Sequence, residues 1–277
     1  WIWIYKLYSD LIEMKKKYTI FGHSGFLGKN IVNYLRENSY KYFLPHRNKH
    51  LFKKNLNHVI YCIGSDDVLK DTVKSVETNL KILCKVLEKN KYKSFLFISS
   101  TRVYYANKIT NEETNIIVNP NNDTYLFNLM KLSSENICLS KKNKKIKVVR
   151  LSNLYGKNFG NQIYLLPTLL RNSKNKKRID ISIHKNSKKN YLNVMDAISI
   201  IFKIINKSKH RIYNVASNRL YTLDFIAKNI QRRTKCKIIY KNQKIKHNEP
   251  KIDIKRIRRE FNFAPRNDFK NFLLKNN

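Results

Sequence analysis

Short apolar runs that alternate with longer amphipathic stretches are the feature that most constrains this fold. In the stretch 75–90, apolar residues recur at helical spacing, at Val76, Leu80, Leu83 and Leu87. The apolar runs are residues 17–22, 40–44, 58–64, 94–100, 147–152 and 211–217. Continuous apolar strands separated by helices are typical of a parallel sheet covered on both faces. We therefore predict a doubly wound α/β domain.

The rhythm breaks near the C-terminal end of the chain, where 222–234 is predicted to be a helix capped by Thr222. Residues 14–156, joined by about 191–217, are assigned to the main domain. Residues 157–190 and 218–277 are assigned to a smaller C-terminal α/β lobe. Residues 1–13 are interpreted as an N-terminal extension, because the run from Met14 resembles a natural start.

Three glycines follow the first predicted strand and open the first predicted helix. Gly22, Gly25 and Gly28 form a G-x-x-G-x-x-G pattern. Glycines let the backbone turn tightly and approach a pyrophosphate, whose charge then lies at the helix N-terminus among free N–H groups. The strand before and the helix after favour dinucleotide binding over an incidental glycine turn.

The end of the second predicted strand bears on which dinucleotide is bound. An acidic residue there would bond the ribose 2′-hydroxyl of NAD, whereas an arginine accommodates the 2′-phosphate of NADP. Arg47 follows this strand, and no acidic residue comes before Asp66. This favours NADP, with NAD left open because a basic chain carries an arginine at many positions by chance.

The formal net charge of +38 admits a nucleic acid, an anionic membrane surface or an acidic substrate as partner. Lysine greatly outnumbers arginine, and asparagine and isoleucine are also abundant. A genome biased toward A/T-rich codons produces this pattern, whereas specific phosphate contacts tend to use arginine. We favour such a bias with solvated lysine-rich loops, and nucleic-acid binding is not excluded.

The cysteines indicate a reducing compartment. Cys62, Cys84, Cys138 and Cys236 are widely spaced, so neither a disulfide framework nor a zinc site is predicted. No apolar run approaches the roughly 18 to 20 residues that span a bilayer. We predict a cytoplasmic protein with no bound metal and no membrane span.

Six motifs in order give the chain a family resemblance. They are the glycine loop, "YCIGS", "FISSTRVYY", "LMKLSSE", "RLSNLYG" and "YNVAS", and "KIDIKRIRREFNFAP" at 251–265 closes the series. The chain resembles the extended short-chain dehydrogenase/reductases, and within them the NAD(P)-dependent epimerase/dehydratase family. The resemblance implies a Rossmann-type fold, a homodimer, and hydride transfer on a nucleotide-activated sugar in polysaccharide biosynthesis.

The resemblance also implies a cofactor site in the main domain. Ile63 and Gly64 would flank the ribose and adenine, and Lys131 would bond the nicotinamide ribose. The full set of implied cofactor contacts, beside Arg47, is Gly22, Ser24, Gly25, Phe26, Leu27, Gly28, Ile63, Gly64, Asn79 and Lys131.

For the substrate, the resemblance implies that Ser100 is the active-site hydroxyl and that Thr101 and Asn153 contact the sugar nucleotide. Arg150 is expected to help receive the substrate diphosphate. The family's dehydratases carry an Asp-Glu pair where this chain has Thr101 and Arg102. Neither residue is an acid or base at neutral pH, so dehydration is excluded.

The family's catalytic tyrosine stands four residues before its lysine, and this chain has Phe127 there. Residues four apart on a helix are neighbours, so Phe127 should lie beside Lys131. Tyr125 could supply the missing proton if the regular helix starts late, after an N-cap at Asp123 or Thr124. Ser100 or a water could relay the proton instead, or the chemistry is lost.

We therefore predict an NAD(P)-dependent epimerase or keto-reductase of nucleotide sugars, whose activity Phe127 could impair. The alternative is a non-catalytic nucleotide-binding scaffold or an RNA-binding protein on the same fold, which Phe127 and the net charge motivate.

Overall fold

The computed structural model describes residues 16–46, 54–64, 71–157, 164–244, 246–266 and 268–275. They form two compact units. Unit 1 takes the described residues up to Val103, then Ile117–Arg150 and Ile201–Tyr213. Unit 2 takes Tyr104–Ile116, Leu151–Ile200 and the described residues from Asn214 onward. The predicted extension at 1–13 lies outside the described residues.

Strands and helices alternate along most of the chain. The strands are β1 (Lys17–Phe21), β2 (Lys41–Phe43), β3 (His58–Tyr61), β4 (Ser94–Ser100), β5 (Ile146–Leu151), β6 (Asn153–Tyr155), β7 (Arg178–Ile181), β8 (Lys188–Asn193), β9 (Ile212–Val215), β10 (Leu220–Thr222) and β11 (Lys237–Tyr240). The α-helices are α1 (Phe26–Glu37), α2 (Thr72–Val76), α3 (Ile82–Lys89), α4 (Leu126–Ser140), α5 (Leu165–Asn175), α6 (Val194–Lys207), α7 (Leu223–Thr234), α8 (Lys255–Phe261) and α9 (Phe269–Leu274).

The central sheet has the strand order β2-β1-β3-β4-β5-β9. β1 pairs in parallel with both β2 and β3, and β3 pairs in parallel with β4. Strands that are adjacent in the sheet but separated by helices in the chain give the doubly wound arrangement. The predicted fold class is confirmed.

Burial explains why the apolar runs became strands. Val59, Tyr61, Phe95 and Phe97 are all at most 1% exposed and pack in one core cluster of unit 1. A polar side chain in this core needs a partner, and the buried Thr19 hydroxyl donates to the Leu56 carbonyl at 2.7 Å. The carboxyl ends of β1, β3 and β4 consequently lie along one edge of the sheet.

Unit 2 contains a three-stranded sheet, β10-β8-β6, and a parallel pair, β11 with β7. Its core includes Tyr155, Leu223, Ile226 and Phe269, all at most 1% exposed. The predicted cap of the helix at 222–234 is confirmed, because the Thr222 hydroxyl accepts a hydrogen bond from the Phe225 N–H at 3.1 Å.

The segment Tyr104–Ile116 groups with unit 2, although the sequence analysis placed it in the main domain. Hydrogen bonds explain this: the Tyr104 hydroxyl donates to Asn214 Oδ1 at 3.0 Å, and the Thr110 hydroxyl donates to the Lys251 carbonyl at 2.8 Å. The division into a cofactor domain and a substrate lobe stays a prediction.

The predicted helix at 75–90 is interrupted. Between α2 and α3, Glu77–Lys81 forms a turn of π-helix that contains the buried Asn79. The Asn79 amide donates to the Ser75 carbonyl at 2.9 Å. Such π segments are frequent at functional sites. Within the described residues, no helix is long and apolar enough to cross a membrane.

Candidate active site

The loop between β1 and α1, together with the first turn of α1, requires glycine at two of its three glycine positions. Gly22 has φ +79°, and a Cβ there would lie 2.8 Å from the Cys62 carbonyl carbon. A Cβ at Gly28 would lie 2.2 Å from the Gly22 carbonyl oxygen. At Gly25 the nearest atom would be 3.4 Å away, which is close to ordinary contact. The loop therefore packs its backbone tightly against the start of α1 and the end of β3.

The N-terminus of α1 is open to an anion. Gly25 is its N-cap and makes no side-chain cap, and the first turn, at Phe26 and Leu27, carries no acidic residue. The first N–H groups of a helix lack intrahelical partners, and the helix dipole favours negative charge there. Ser24 belongs to the same loop. These features suit the pyrophosphate that the sequence analysis expects at this end, and that contact stays a prediction.

Lys131 lies against the residues that follow β3. Its ammonium donates to the Ile98 carbonyl at 3.2 Å and is buried, with 7% of the residue exposed. A Cβ at Gly64 would lie 2.9 Å from Lys131 Nζ and 3.5 Å from Asn79 Oδ1. Three predicted cofactor residues thus converge in unit 1, and only glycine at position 64 leaves room between them.

Two other groups border this space. Ile63 is half-buried beside Gly64. Burial raises the pKa of the Cys62 thiol to about 12, while the Lys131 ammonium acts in the opposite direction. The thiol is therefore neutral at physiological pH.

Ser100 ends β4, and its hydroxyl oxygen accepts a hydrogen bond from the Arg102 N–H at 3.1 Å. Thr101 is buried and starts a 3₁₀ turn that runs to Tyr104. The Ser100 hydroxyl hydrogen stays able to donate, since the Arg102 contact uses only the oxygen as acceptor.

Phe127 lies beside Lys131, as its spacing predicts. Lys131 Nζ is 5.9 Å from the centre of the Phe127 ring, and the Arg102 guanidinium carbon is 5.1 Å from it. Lys131 Nζ is also 5.1 Å from the Phe97 ring. The ring that stands where a proton donor is expected therefore contacts two cations and offers no proton.

Tyr125 lies before the regular helix, in the 3₁₀ turn Asp123–Tyr125, and α4 begins at Leu126. The predicted cap at Asp123 or Thr124 is wrong: the Asn122 side chain accepts from the Thr124 N–H at 3.0 Å instead. Tyr125 itself is 8% exposed.

Arg150 is not where a substrate diphosphate could use it. Its guanidinium donates to both Glu135 carboxylate oxygens, at 2.7 Å from Nη2 and 3.2 Å from Nε, and both side chains are under 10% exposed. The Ser99 hydroxyl also donates to Glu135. The expectation of a substrate contact at Arg150 is corrected by this geometry, because its charge is already paired inside unit 1.

Asn153 belongs to unit 2, where it is exposed on β6. Its amide donates to the Glu249 carboxylate at 3.0 Å and to the Asn190 carbonyl at 2.9 Å. Its predicted contact with the sugar nucleotide stays a prediction. Arg47, the residue that favoured NADP, lies outside the described residues.

The model of the NAD dependent epimerase/dehydratase family matches residues 50–216, more than half of the chain. The chain belongs to this family. The resemblance drawn from the motifs is confirmed, and a nicotinamide dinucleotide is the cofactor that the family's description names. No curated protein matches the chain by sequence.

Several solved structures share the fold. The RMD protein of Pseudomonas aeruginosa complexed with NADPH is 18% identical with a TM-score of 0.76, over 94% of this chain and 97% of that one. The dTDP-glucose 4,6-dehydratase of Bacillus anthracis in complex with NAD is 18% identical, with a TM-score of 0.75 and 94% of each chain covered. The UDP-glucuronic acid 4-epimerase of Bacillus cereus, in complex with UDP-glucuronic acid and NAD, is 17% identical with a TM-score of 0.76, over 93% and 96%.

Sequence reasoning missed two features of the site. Arg102 was noted only as a residue that cannot do acid–base work, and its contact with Phe127 was not foreseen. Glu135 was not singled out at all, although its position four residues after Lys131 puts it on the same face of α4. Among the described residues, no group of three or more histidine, cysteine, aspartate or glutamate side chains could hold a metal ion.

Proposed function

We propose that the protein is an NAD(P)-dependent epimerase or keto-reductase that acts on a nucleotide-activated sugar. The observation that carries the proposal is the convergence of Lys131, Gly64 and Asn79 in a chain that belongs to an NAD dependent family. The neighbouring structures that contain a nucleotide sugar or NADPH agree with this substrate and cofactor class.

The residues of unit 1 fit a dinucleotide. Gly22 and Gly28 allow the loop backbone to pack closely at the start of α1, and the N–H groups of Phe26 and Leu27 would donate to a pyrophosphate there. Gly64 leaves the corresponding space beside Lys131. A bound nicotinamide dinucleotide would supply the group that accepts and returns a hydride.

Lys131 and Ser100 would act on the reacting groups. The Lys131 ammonium is held by the Ile98 carbonyl, which orients it to bond a ribose hydroxyl and to keep positive charge beside the site. The Ser100 hydroxyl would donate to the sugar oxygen at the carbon that changes oxidation state. Both groups are fixed before substrate arrives, because β4 and α4 hold them.

Proton transfer is the step that Phe127 leaves open. A hydroxyl must lose its proton as hydride leaves the sugar carbon, and a phenylalanine ring cannot take it. Tyr125 and Ser100 are the candidates within this chain for taking the proton, and a water is the third candidate. Loss of a general acid or base costs about 10² to 10⁴-fold in rate, so slow turnover is expected.

A second candidate function follows from the same residue. If no group replaces the tyrosine hydroxyl, the chain would bind dinucleotide and sugar nucleotide without chemistry. The two cations that contact the Phe127 ring, Arg102 and Lys131, favour this candidate, because they stabilise an aromatic ring without requiring a hydroxyl.

The test is a single-turnover assay that follows the absorbance of the reduced nicotinamide. NAD and NADP in both redox states are combined with nucleotide sugars and their 4-keto forms, and the sugar products are separated because an epimerase returns the hydride. We expect slow turnover by the natural chain and a gain of about 10²-fold or more in Phe127→Tyr.

Two lysine variants calibrate this assay. Lys131→Ala should abolish turnover, whereas Lys85→Ala, which removes an exposed lysine from α3, should leave it unchanged. Unchanged turnover in Lys131→Ala would remove Lys131 from the mechanism. Silence in the natural chain with activity in Phe127→Tyr would select the second candidate, and failure of both to bind any dinucleotide would refute the proposed function.

A further inference from the structure

Arg102 is held in a fixed position next to the candidate active site. Its backbone N–H bonds the Ser100 hydroxyl oxygen at 3.1 Å, and its Nη2 donates to the Thr124 carbonyl at 3.0 Å. Its guanidinium carbon lies 5.1 Å from the centre of the Phe127 ring. The backbone bond anchors the residue at the end of β4, and the other two contacts hold the side chain against the turn before α4 and against Phe127, so its freedom is already reduced before a ligand binds.

The charge of Arg102 has no counter-ion within the described part of the chain. The residue is exposed, and its contacts there are with a hydroxyl, a carbonyl and a ring. The buried carboxylate of Glu135, on the same helix as Phe127, is already paired with Arg150. Lys131 Nζ is 5.9 Å from the ring that Arg102 also contacts, which adds positive potential.

The chemistry of a guanidinium selects the ligand. Its planar fork matches a carboxylate or a phosphate in a bidentate geometry, and the bond to Thr124 uses only one of its N–H donors. A guanidinium held at the Thr124 carbonyl and the Phe127 ring, with no counter-ion among the described residues, therefore suits an anionic oxygen pair rather than a neutral hydroxymethyl group.

We propose that Arg102 binds a carboxylate carried by the sugar, so that the substrate is a nucleotide-linked uronic acid. This inference rests on the proposed function and deepens it. The same chemistry has a second source, the substrate diphosphate. The sugar carboxylate is preferred because the Arg102 guanidinium lies 5.1 Å from the ring of Phe127, the residue at the position expected for the catalytic tyrosine.

The test compares two ligands that differ only in the carboxylate. UDP-glucuronic acid and UDP-glucose are titrated calorimetrically into the protein saturated with NAD or NADP. We expect the natural chain to prefer UDP-glucuronic acid by about 10- to 100-fold, the range for a hydrogen-bonded charge pair. Arg102→Gln should bring the two affinities close together, and Arg102→Lys should fall between, because it keeps the charge without the fork.

Two further variants separate the role of the guanidinium from general charge and from folding. Arg36→Gln removes an exposed arginine from α1 in the same unit and should leave the preference intact. Phe127→Leu removes the ring under Arg102 but not its charge, so it should lower the preference only in part. Far-ultraviolet circular dichroism verifies that each variant is folded.

Each outcome decides the proposal. Equal losses for both ligands in Arg102→Gln would assign the anion to the diphosphate and overturn the carboxylate. Equal affinities in the natural chain would overturn it while leaving the hydride-transfer assay unaffected. If neither UDP sugar binds, the same comparison is made with glucuronic acid 1-phosphate and glucose 1-phosphate, where the absence of a preference would overturn it.

Discussion

Gly22 is the residue whose backbone leaves the least freedom for substitution. Its φ of +79° lies in the left-handed region, and a Cβ there would approach the Cys62 backbone to 2.8 Å. Both problems come from backbone atoms, which cannot rotate away as a side chain does. Gly25 has an extended conformation with φ −75° and a nearest atom at 3.4 Å from its Cβ position, so the same pattern contains a natural control.

Gly22→Ala should therefore lower the free energy of unfolding by roughly 1 to 3 kcal/mol. It should also remove most of the stabilisation that NAD or NADP gives, which amounts to about 2.7 kcal/mol at a ligand concentration 100 times the Kd. Thermal unfolding with and without dinucleotide measures both effects. Gly25→Ala should change the free energy of unfolding far less, and equal losses in the two variants would contradict the backbone explanation.

At the scale of single residues, sequence spacing predicted the contacts between residues that lie close together on one helix. Phe127 is found beside Lys131 because both lie on one helix, four residues apart. Arg102 could not be placed in the same way, because its guanidinium is fixed by the Thr124 carbonyl, 22 residues further along the chain. The sequence contains no periodicity that links the two.

Among the elements, α4 is tied to the sheet by a buried charge network. The Glu135 carboxylate on this helix accepts hydrogen bonds from the Arg150 guanidinium on β5 and from the Ser99 hydroxyl on β4. The network lies one turn after Lys131 on the same helix face. It therefore holds α4 in the register that brings Lys131 to the Ile98 carbonyl.

Removing one member of this network should be costly. Glu135→Ala leaves the Arg150 guanidinium buried without a partner, so the free energy of unfolding should fall by about 3 to 5 kcal/mol. The double variant Glu135→Leu/Arg150→Met should be less destabilised than either single charge deletion, because it leaves no unpaired charge. Urea denaturation measures each value.

A surface pair supplies the contrast. Lys81 and Glu77 are also joined, at 2.8 Å, but both side chains are more than half exposed. Glu77→Ala should leave the urea midpoint unchanged within error, since exposed ion pairs gain little. A loss as large as that of Glu135→Ala would show that burial is not the deciding factor.

The elements themselves were predictable where burial is uniform along a strand. The apolar runs at 58–64 and 94–100 became β3 and β4 because both faces of the sheet are covered. The helix at 75–90 was predicted as continuous, since its apolar period gives no sign of the π segment around Asn79. Arg150 was wrongly expected to contact the substrate because its partner, Glu135, lies on another element, and the sequence does not show that pairing.

For the whole molecule, the net charge of +38 is the property that the fold does not explain. Lysine-rich stretches are exposed in both units: residues 141–145 in unit 1 and 174–178 in unit 2. Within each unit, a short solvated lysine-rich stretch creates a general positive potential and does not by itself form a site for a nucleic-acid strand. This arrangement agrees with the interpretation of the lysines as a consequence of codon bias.

We therefore expect any binding of RNA to be non-specific and confined to low salt. Binding that depends only on phosphate neutralisation weakens with salt, with a slope of about −0.7 per contacted phosphate in a plot of log affinity against log salt concentration. Fluorescence anisotropy with a labelled oligouridine measures this slope. Replacing the lysines of 141–145 with glutamine should weaken binding about as much as replacing those of 174–177, because neither loop forms a specific site. The contrary outcome is tight binding at physiological salt that one replacement abolishes and the other leaves intact, which would identify a nucleic-acid surface. If that binding persists in Phe127→Tyr, it is independent of the dinucleotide chemistry of unit 1.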